Sequence, residues 1–196
     1  MNKQVIIESK RKKIEKLIIK YPNFEIIDIT SKAQNSWVKF SPFYPLGDIP
    51  IPFTENKFSK SVEGIWQGLK VFENFDIDPT KFDIENMKNI KRTVRKYGKV
   101  KGHRKGINGK DILSYSDSKK NIYLPSYKWI LDNKLKDEIT ELKKILAHKP
   151  LLLLDYETSE DIFSSKPISH AFLVKLFLED KYPIVDEHLG YENKKI

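Results

Sequence analysis

Residues Ser61 to Phe72 read S-V-E-G-I-W-Q-G-L-K-V-F. At about 100° per residue, Val62, Ile65, Leu69 and Phe72 form one apolar stripe. Glu63, Trp66, Gln67 and Lys70 fall at i, i+3, i+4 and i+7 on a neighbouring stripe. The pattern predicts a helix over Ser61 to Glu73, with Ser61 as its N-cap. One turn-to-turn line then presents a carboxylate, an indole, an amide and an amine. Gly64 and Gly68 sit four residues apart inside it. Each costs roughly 1 kcal/mol against alanine in a helix, so close approach of a ligand or another backbone is expected to compensate. For an arbitrary helix, Glu63 and Lys70 read as surface charges and Trp66 as core.

Upstream, S-P-F-Y-P-L-G-D-I-P-I-P-F (Ser41 to Phe53) carries four prolines. These forbid helix and central strand, and the aromatic content marks a packed loop. Further out, Val5 to Lys20 reads as an amphipathic helix ended before Pro22, Phe24 to Ile29 as a strand, and Trp37 to Phe40 as a second strand. Downstream, Ile84 to Tyr97 reads as a helix followed by a Gly/Lys loop. Ile122 to Leu124 reads as a short strand, Ser126 to Ala147 as one long helix or two shorter ones, Leu151 to Leu154 as a buried strand, and Ile168 to Glu179 as a last helix. The strands are too few and scattered for βαβ repetition. The expectation is a helix-rich α+β fold with a small β component, one domain over residues 1–186 and a polar tail over 187–196.

The chain has 196 residues, 39% apolar and 12% aromatic, which excludes a disordered polymer. It has no cysteine, excluding disulfides, thiolate nucleophiles and cysteine-held metals. No cofactor and no convincing metal site is expected. The N-terminus is charged throughout, so neither a signal peptide nor a membrane span is expected, and a cytoplasmic location is favoured. The formal charge is +9. Ten lysines and arginines and no acid lie between Lys88 and Lys110, so the rest of the chain sums to −1. Gly98, Gly102 and Gly106 punctuate this block. Such a block is either a solvated face or a seat for an anionic, phosphate-bearing partner.

The order of these pieces resembles the NADAR family, also called YbiA-like proteins. Their helix signature runs roughly [S/T]-x-E-H-[Y/F]-[F/Y]-Q-[A/S]-x-K. It is matched by Ser61, Glu63, Ile65, Trp66, Gln67, Gly68 and Lys70. The preceding loop is matched by F-S-P-F-Y-P, Phe40 to Pro45, and a later Gly-Arg stretch by Thr93 to His103. The likeness covers about residues 37 to 105. Gly64 replaces the usual histidine, and the C-terminal Trp-Gly and Asn-x-Leu-Gly elements are absent. The resemblance implies a YbiA-like fold and hydrolysis of an N-glycosidic bond. The substrate implied is a phosphorylated ribosyl compound, such as ADP-ribose on a nucleobase in nucleic acid or a ribosylamino-pyrimidine phosphate. Such cleavage needs stabilisation of a cationic sugar carbon and a proton for the leaving base. Glu63 then serves as general base or electrostatic partner. Lys70 holds the sugar or a phosphate, or forms a transient Schiff base with an opened ribose. Trp66 stacks on the base and Gln67 bonds its edge or a ribose hydroxyl. Tyr44 and Asp48 line the pocket, and Arg95, Lys99, His103 and Arg104 receive phosphates.

A second cluster, K-P-L-L-L-L-D-Y-E-T-S-E-D, sets Asp155, Glu157, Glu160 and Asp161 at the end of a strand. D-x-E-T after an aliphatic strand resembles the first motif of DEDD-type exonucleases, where two carboxylates hold magnesium. Only 39 residues follow Glu157, too few for the remaining motifs. Asp155 then stands as an acidic-loop residue or as a second carboxylate of the glycosidase pocket. A third class is a non-catalytic nucleic-acid binder using residues 88–110, with Tyr97 and Tyr115 as stacking residues.

Overall fold

The structure is a computed structural model that describes residues 4–164 and 166–183. In chain order its elements are β1 (Val5–Ser9), α1 (Ile14–Lys20), β2 (Glu25–Asp28), β3 (Ile49–Pro50), β4 (Phe58–Ser59), α2 (Val62–Gly68) and β5 (Lys70–Phe72). There follow α3 (Val94–Tyr97), β6 (Val100–Arg104), β7 (Ile112–Leu113), α4 (Tyr115–Ser118), α5 (Leu124–Asn133), α6 (Lys136–His148), β8 (Leu151–Asp155) and α7 (His170–Leu178). The chain is α+β. It divides into two compact units: Met1–Ser41 with Leu131–Tyr182, and Pro42–Ile130 with Pro183–Ile196. The tail assigned to residues 187–196 lies outside the described residues. Among the described residues, no helix is long and apolar enough to cross a membrane.

The first unit is built on a three-stranded parallel sheet in the order β1-β8-β2. A central parallel strand is covered on both faces, so it needs an unbroken apolar run. L-L-L-L-D supplies one, and all five residues are buried. Leu17 of α1 packs with Leu152 and Leu154, flanked by Ile6, Tyr21, Phe24 and Ile26. The helix expected over residues 5–20 is therefore only its second half. Val5, Ile6 and Ile7 are β-branched, and they pair in register with Leu151, Leu152 and Leu153. Trp37 to Phe40 is not a strand either: Asn35–Phe40 is a 3-10 turn, opened by Asn35 at φ 62°.

The second unit holds the antiparallel sheet β5-β6-β7 and the short pair β3-β4. Ser61 caps α2 as expected, its Oγ accepting from the Gly64 N–H at 3.0 Å. The helix stops at Gly68, not Glu73. Lys70 to Phe72 leave it to pair with β6, which runs through the stretch expected to be a Gly/Lys loop. The helix expected over Ile84 to Tyr97 shrinks to α3. Met87 and Asn89 take positive φ (55° and 57°), which a helix cannot contain. Ile122 to Leu124 is helical rather than extended: a π turn over Lys119–Tyr123 runs into α5, where Pro125 falls in the first turn and tolerates the missing donor.

The two glycines of α2 have protein neighbours. A Cβ on Gly68 would lie 2.1 Å from the Phe82 ring, and one on Gly64 would lie 2.7 Å from the Lys81 carbonyl oxygen. The close approach expected of them is met by a ring and a backbone, not by a ligand.

Candidate functional site

The site forms where α2 hands over to β5. Glu63 lies on the first turn of α2, and its backbone N–H donates to the Pro42 carbonyl at 2.8 Å. That bond ties the Pro-rich loop to the helix. The carboxyl is buried, and its Oε1 accepts from Gln67 Nε2 at 2.8 Å. The Gln67 Oε1 accepts in turn from the Arg92 N–H at 3.0 Å, so both ends of the amide are fixed. The second oxygen of Glu63 takes no hydrogen bond from the described residues. Burial pushes the Glu63 carboxyl above its ordinary range; the Gln67 bond and the charges of Lys70 and Lys91 oppose this only in part.

Lys70 is the first residue of β5, so it does not reach the site along a helical stripe. It sits directly opposite His103 of β6, and directly opposed residues share a face of the sheet. Its Nζ lies 5.9 Å from the Trp66 ring centre and makes no ion pair with a described residue. Burial lowers its pKa. The Glu63 charge resists, and the charges of Arg92 and Lys91 add to the lowering.

Trp66 is enclosed by aromatic rings. His103 lies at a centroid distance of 3.7 Å and a tilt of 35°, with Tyr115 and Tyr123 edge-on at 5.8 and 5.6 Å. The indole thus already has the His103 imidazole against it. His103 itself is fully buried, and neither ring nitrogen has a partner in hydrogen-bonding geometry, although the Trp66 backbone is near enough to act on it weakly. Burial, helped by the Lys70 charge, drives its pKa down to about 3. It is a neutral imidazole inside the unit, not a phosphate receiver on the basic surface.

Glu63, Trp66, Gln67, Lys70 and His103 are thus brought together. Other sequence-selected residues are placed elsewhere. Arg95 and Lys99 are exposed. Arg104 grips the Asp76 carboxylate with two nitrogens (Nε 3.2 Å, Nη2 2.6 Å) and donates to the Gly109 carbonyl. In the loop before β3, Tyr44 is half-buried and Asp48 is exposed; Asp48 takes positive φ (52°) and acts electrostatically on Lys60.

Asp155 belongs to the first unit. Its Oδ2 accepts from Ser169 Oγ at 2.7 Å, lies 2.9 Å from His170 Nδ1 and accepts from the Ala171 N–H at 3.3 Å. Its Oδ1 accepts from the Tyr156 N–H. The other nitrogen of His170 meets the Ile29 carbonyl at 2.9 Å. Burial would raise the Asp155 pKa, but the His170 charge and these bonds hold it near 2. His170 is raised, Asp155 outweighing the effect of burial. Every polar atom is committed to joining the ends of β8 and β2 to the start of α7, which is a structural role. Glu157 turns inward on itself, its Oε1 accepting from the Thr158 and Ser159 N–H groups. A cleft of about 500 Å³ also lies in this unit beside β2, lined in part by Lys10, Asp28, Lys32, Trp37 and Glu141. It contains none of the residues selected from sequence.

A family model matches residues 9–174. The chain belongs to DUF6939, a family of unknown function. The DUF6939 match spans both units, so it includes the α2–β5 site as well as the Asp155–His170 pair. No curated protein matches the chain. Two contributors to the site were not singled out from sequence. Arg92 was one of ten cations in a block, and nothing in its neighbours marks it as the buried one. Tyr123 was read as part of a strand, and only a helical turn there brings its ring to Trp66.

Proposed function

We propose that this chain is an N-glycosidase of NADAR-like type, acting in the cytoplasm on a phosphorylated ribosyl substrate. The resemblance around Ser61 to Lys70 suggests the reaction class. The observation that carries it is a buried carboxyl anchored by one oxygen beside a half-buried amine with no ion pair among the described residues, each shifted toward neutrality. Groups tuned in this way suit proton transfer near neutral pH. Glu63 takes a proton from the attacking water as its oxygen bonds to the anomeric carbon. The C–N bond breaks with its electron pair going to the base nitrogen, and Lys70 supplies the proton that nitrogen needs. Eight exposed cations between Lys88 and Lys110 receive the phosphates.

The test is incubation with ADP-ribosylated DNA and, separately, with ribosylated pyrimidine phosphates, with the released base measured by mass spectrometry. Glu63→Gln should keep the fold and ligand binding and abolish release. Release that survives this change sinks the reading.

A non-catalytic nucleic-acid binder is the second reading. It draws on the same eight cations and on Phe75, 47% exposed and edge-on to Tyr97 at 4.9 Å. In that case Glu63→Gln does little, while Lys and Arg changes in residues 95–101 weaken binding and flatten its salt dependence.

A further inference from the structure

Arg92 is 6% exposed, far below its neighbours in the basic block. A buried guanidinium needs acceptors and a counter-charge. Arg92 has the first at hydrogen-bonding range and the second only at a distance. Its Nη1 donates to the Lys70 carbonyl at 2.6 Å and to the Gln67 carbonyl at 3.3 Å, and its Nη2 donates to the Asp76 carbonyl at 2.7 Å. Its Cζ lies 4.8 and 4.9 Å from the ring centres of Phe72 and Tyr97. The Nε has no hydrogen-bond partner among the described residues. No carboxylate among the described residues forms an ion pair with it; that of Asp76 is clasped by Arg104 and acts on Arg92 only through space.

We propose that Arg92 is a positioning residue of the α2–β5 site. It clamps the Gln67 and Lys70 backbones together and places a positive charge with no carboxylate bonded to it behind the Lys70 amine. This inference rests on the glycosidase reading for its purpose, but not for its geometry. The clamp joins the last turn of α2 to the first residue of β5, which is the junction that sets Glu63 and Lys70 on one site. The Arg92 main chain completes the relay, holding the Gln67 amide that holds Glu63. The Lys70 amine is faced by Trp66 and Glu63 of α2, by His103 of β6, and by Lys91 and Arg92 of the segment before α3. Two of these are cations and one is a neutral imidazole, against a single carboxyl. Lys70 is thereby made readier to give up its proton.

Competitive acetylation with trace acetic anhydride across pH, read by peptide mass spectrometry, reports the Lys70 amine with no substrate present. In the unmutated protein, Lys70 should reach half-maximal labelling at lower pH than exposed Lys99. Arg92→Gln, shown folded by circular dichroism, should label at Lys70 about three- to tenfold more slowly near pH 8. Arg92→Lys, which keeps the charge, should stay near the unmutated midpoint. In the base-release assay Arg92→Gln should lower kcat with little change in KM. The proposal is overturned if folded Arg92→Gln labels as the unmutated protein does. It is equally overturned if unmutated Lys70 titrates like Lys99, a comparison that holds even where a variant fails to fold. Altered labelling without cleavage of any N-glycoside leaves the Arg92 assignment standing and removes the glycosidase reading. Cleavage with unaltered labelling does the reverse.

Discussion

The molecule holds two buried acid–base groupings that treat charge in opposite ways. In the first unit, Asp155 and His170 are neighbours with every polar atom matched, and both are shifted toward their charged forms. In the second, Glu63 and Lys70 are incompletely matched, and both are shifted toward their neutral forms. Burial acts on all four groups in the same sense. The difference lies in the partners: one pair is saturated, and the other leaves an oxygen without a hydrogen bond and an amine without an ion pair among the described residues. A saturated pair stabilises. An unsaturated one costs stability and is retained where chemistry needs it.

Removing one member from each grouping tests this most strongly. Asp155→Ala leaves a buried histidine and serine without their acceptor. It should destabilise the protein by about 3–5 kcal/mol in urea unfolding. Glu63→Gln should cost almost nothing, or stabilise, at neutral pH. A large loss from Glu63→Gln, or a small one from Asp155→Ala, would break the contrast.

Next in size is Gly68→Ala. Its Cβ would overlap the Phe82 ring, for a loss of about 1–3 kcal/mol. Phe82→Leu in the same chain should recover part of it. Recovery would show that this glycine serves packing within the unit rather than substrate approach.

The pH dependence is smaller and separates the two carboxyls, Asp155 and Glu63, by sign. Asp155 is held near 2 against an ordinary 3.8. Its contribution is complete above about pH 4 and is lost as pH falls toward 2. His170 is raised from 6.5, so its contribution is complete below that value and fades as pH climbs through the folded pKa. Glu63 is raised from 4.5 and favours the fold only while protonated. Its cost therefore appears as pH rises past 4.5. Unfolding curves of Glu63→Gln and the unmutated protein should converge near pH 4 and separate toward neutrality, with the variant the more stable.

The smallest effect on stability is expected at the basic surface. Lys99→Gln and Lys101→Gln should each stay within about 0.5 kcal/mol of the unmutated protein. Each should still reduce the salt slope of DNA binding by about one for every phosphate left without its cation.

Legibility in sequence followed the range of the interactions involved. Leu151 to Leu154 could be read as a buried strand because a parallel central strand needs nothing but apolar residues. Ser61 could be read as a cap because capping spans three residues. The end of α2 could not be read, since Leu69 and Phe72 continue the helical stripe of Val62 and Ile65, and the chain leaves it only because β6, some thirty residues on, offers a partner. Val5 to Ile7 misled for the same reason: their partner strand lies at the other end of the chain. At the site, Glu63 and Gln67 were legible through their helical spacing. Lys70 was selected for the wrong geometry, and Arg92 was hidden because burial leaves no mark on an arginine among nine other cations.

The position of β8 has a consequence for how the protein is made. It is the middle strand of its sheet, yet it is the last strand among the described residues. Residues 42–130, which carry α2, β5 and β6, are contiguous and emerge from the ribosome earlier. During synthesis β1 and β2 have no neighbour until residue 155 is out, and their β-branched edges are open to wrong partners meanwhile. The α2–β5 segment has its sheet partners available well before that. The half of the molecule proposed to do the chemistry is thus able to form first, and the half with the saturated charge pair closes last.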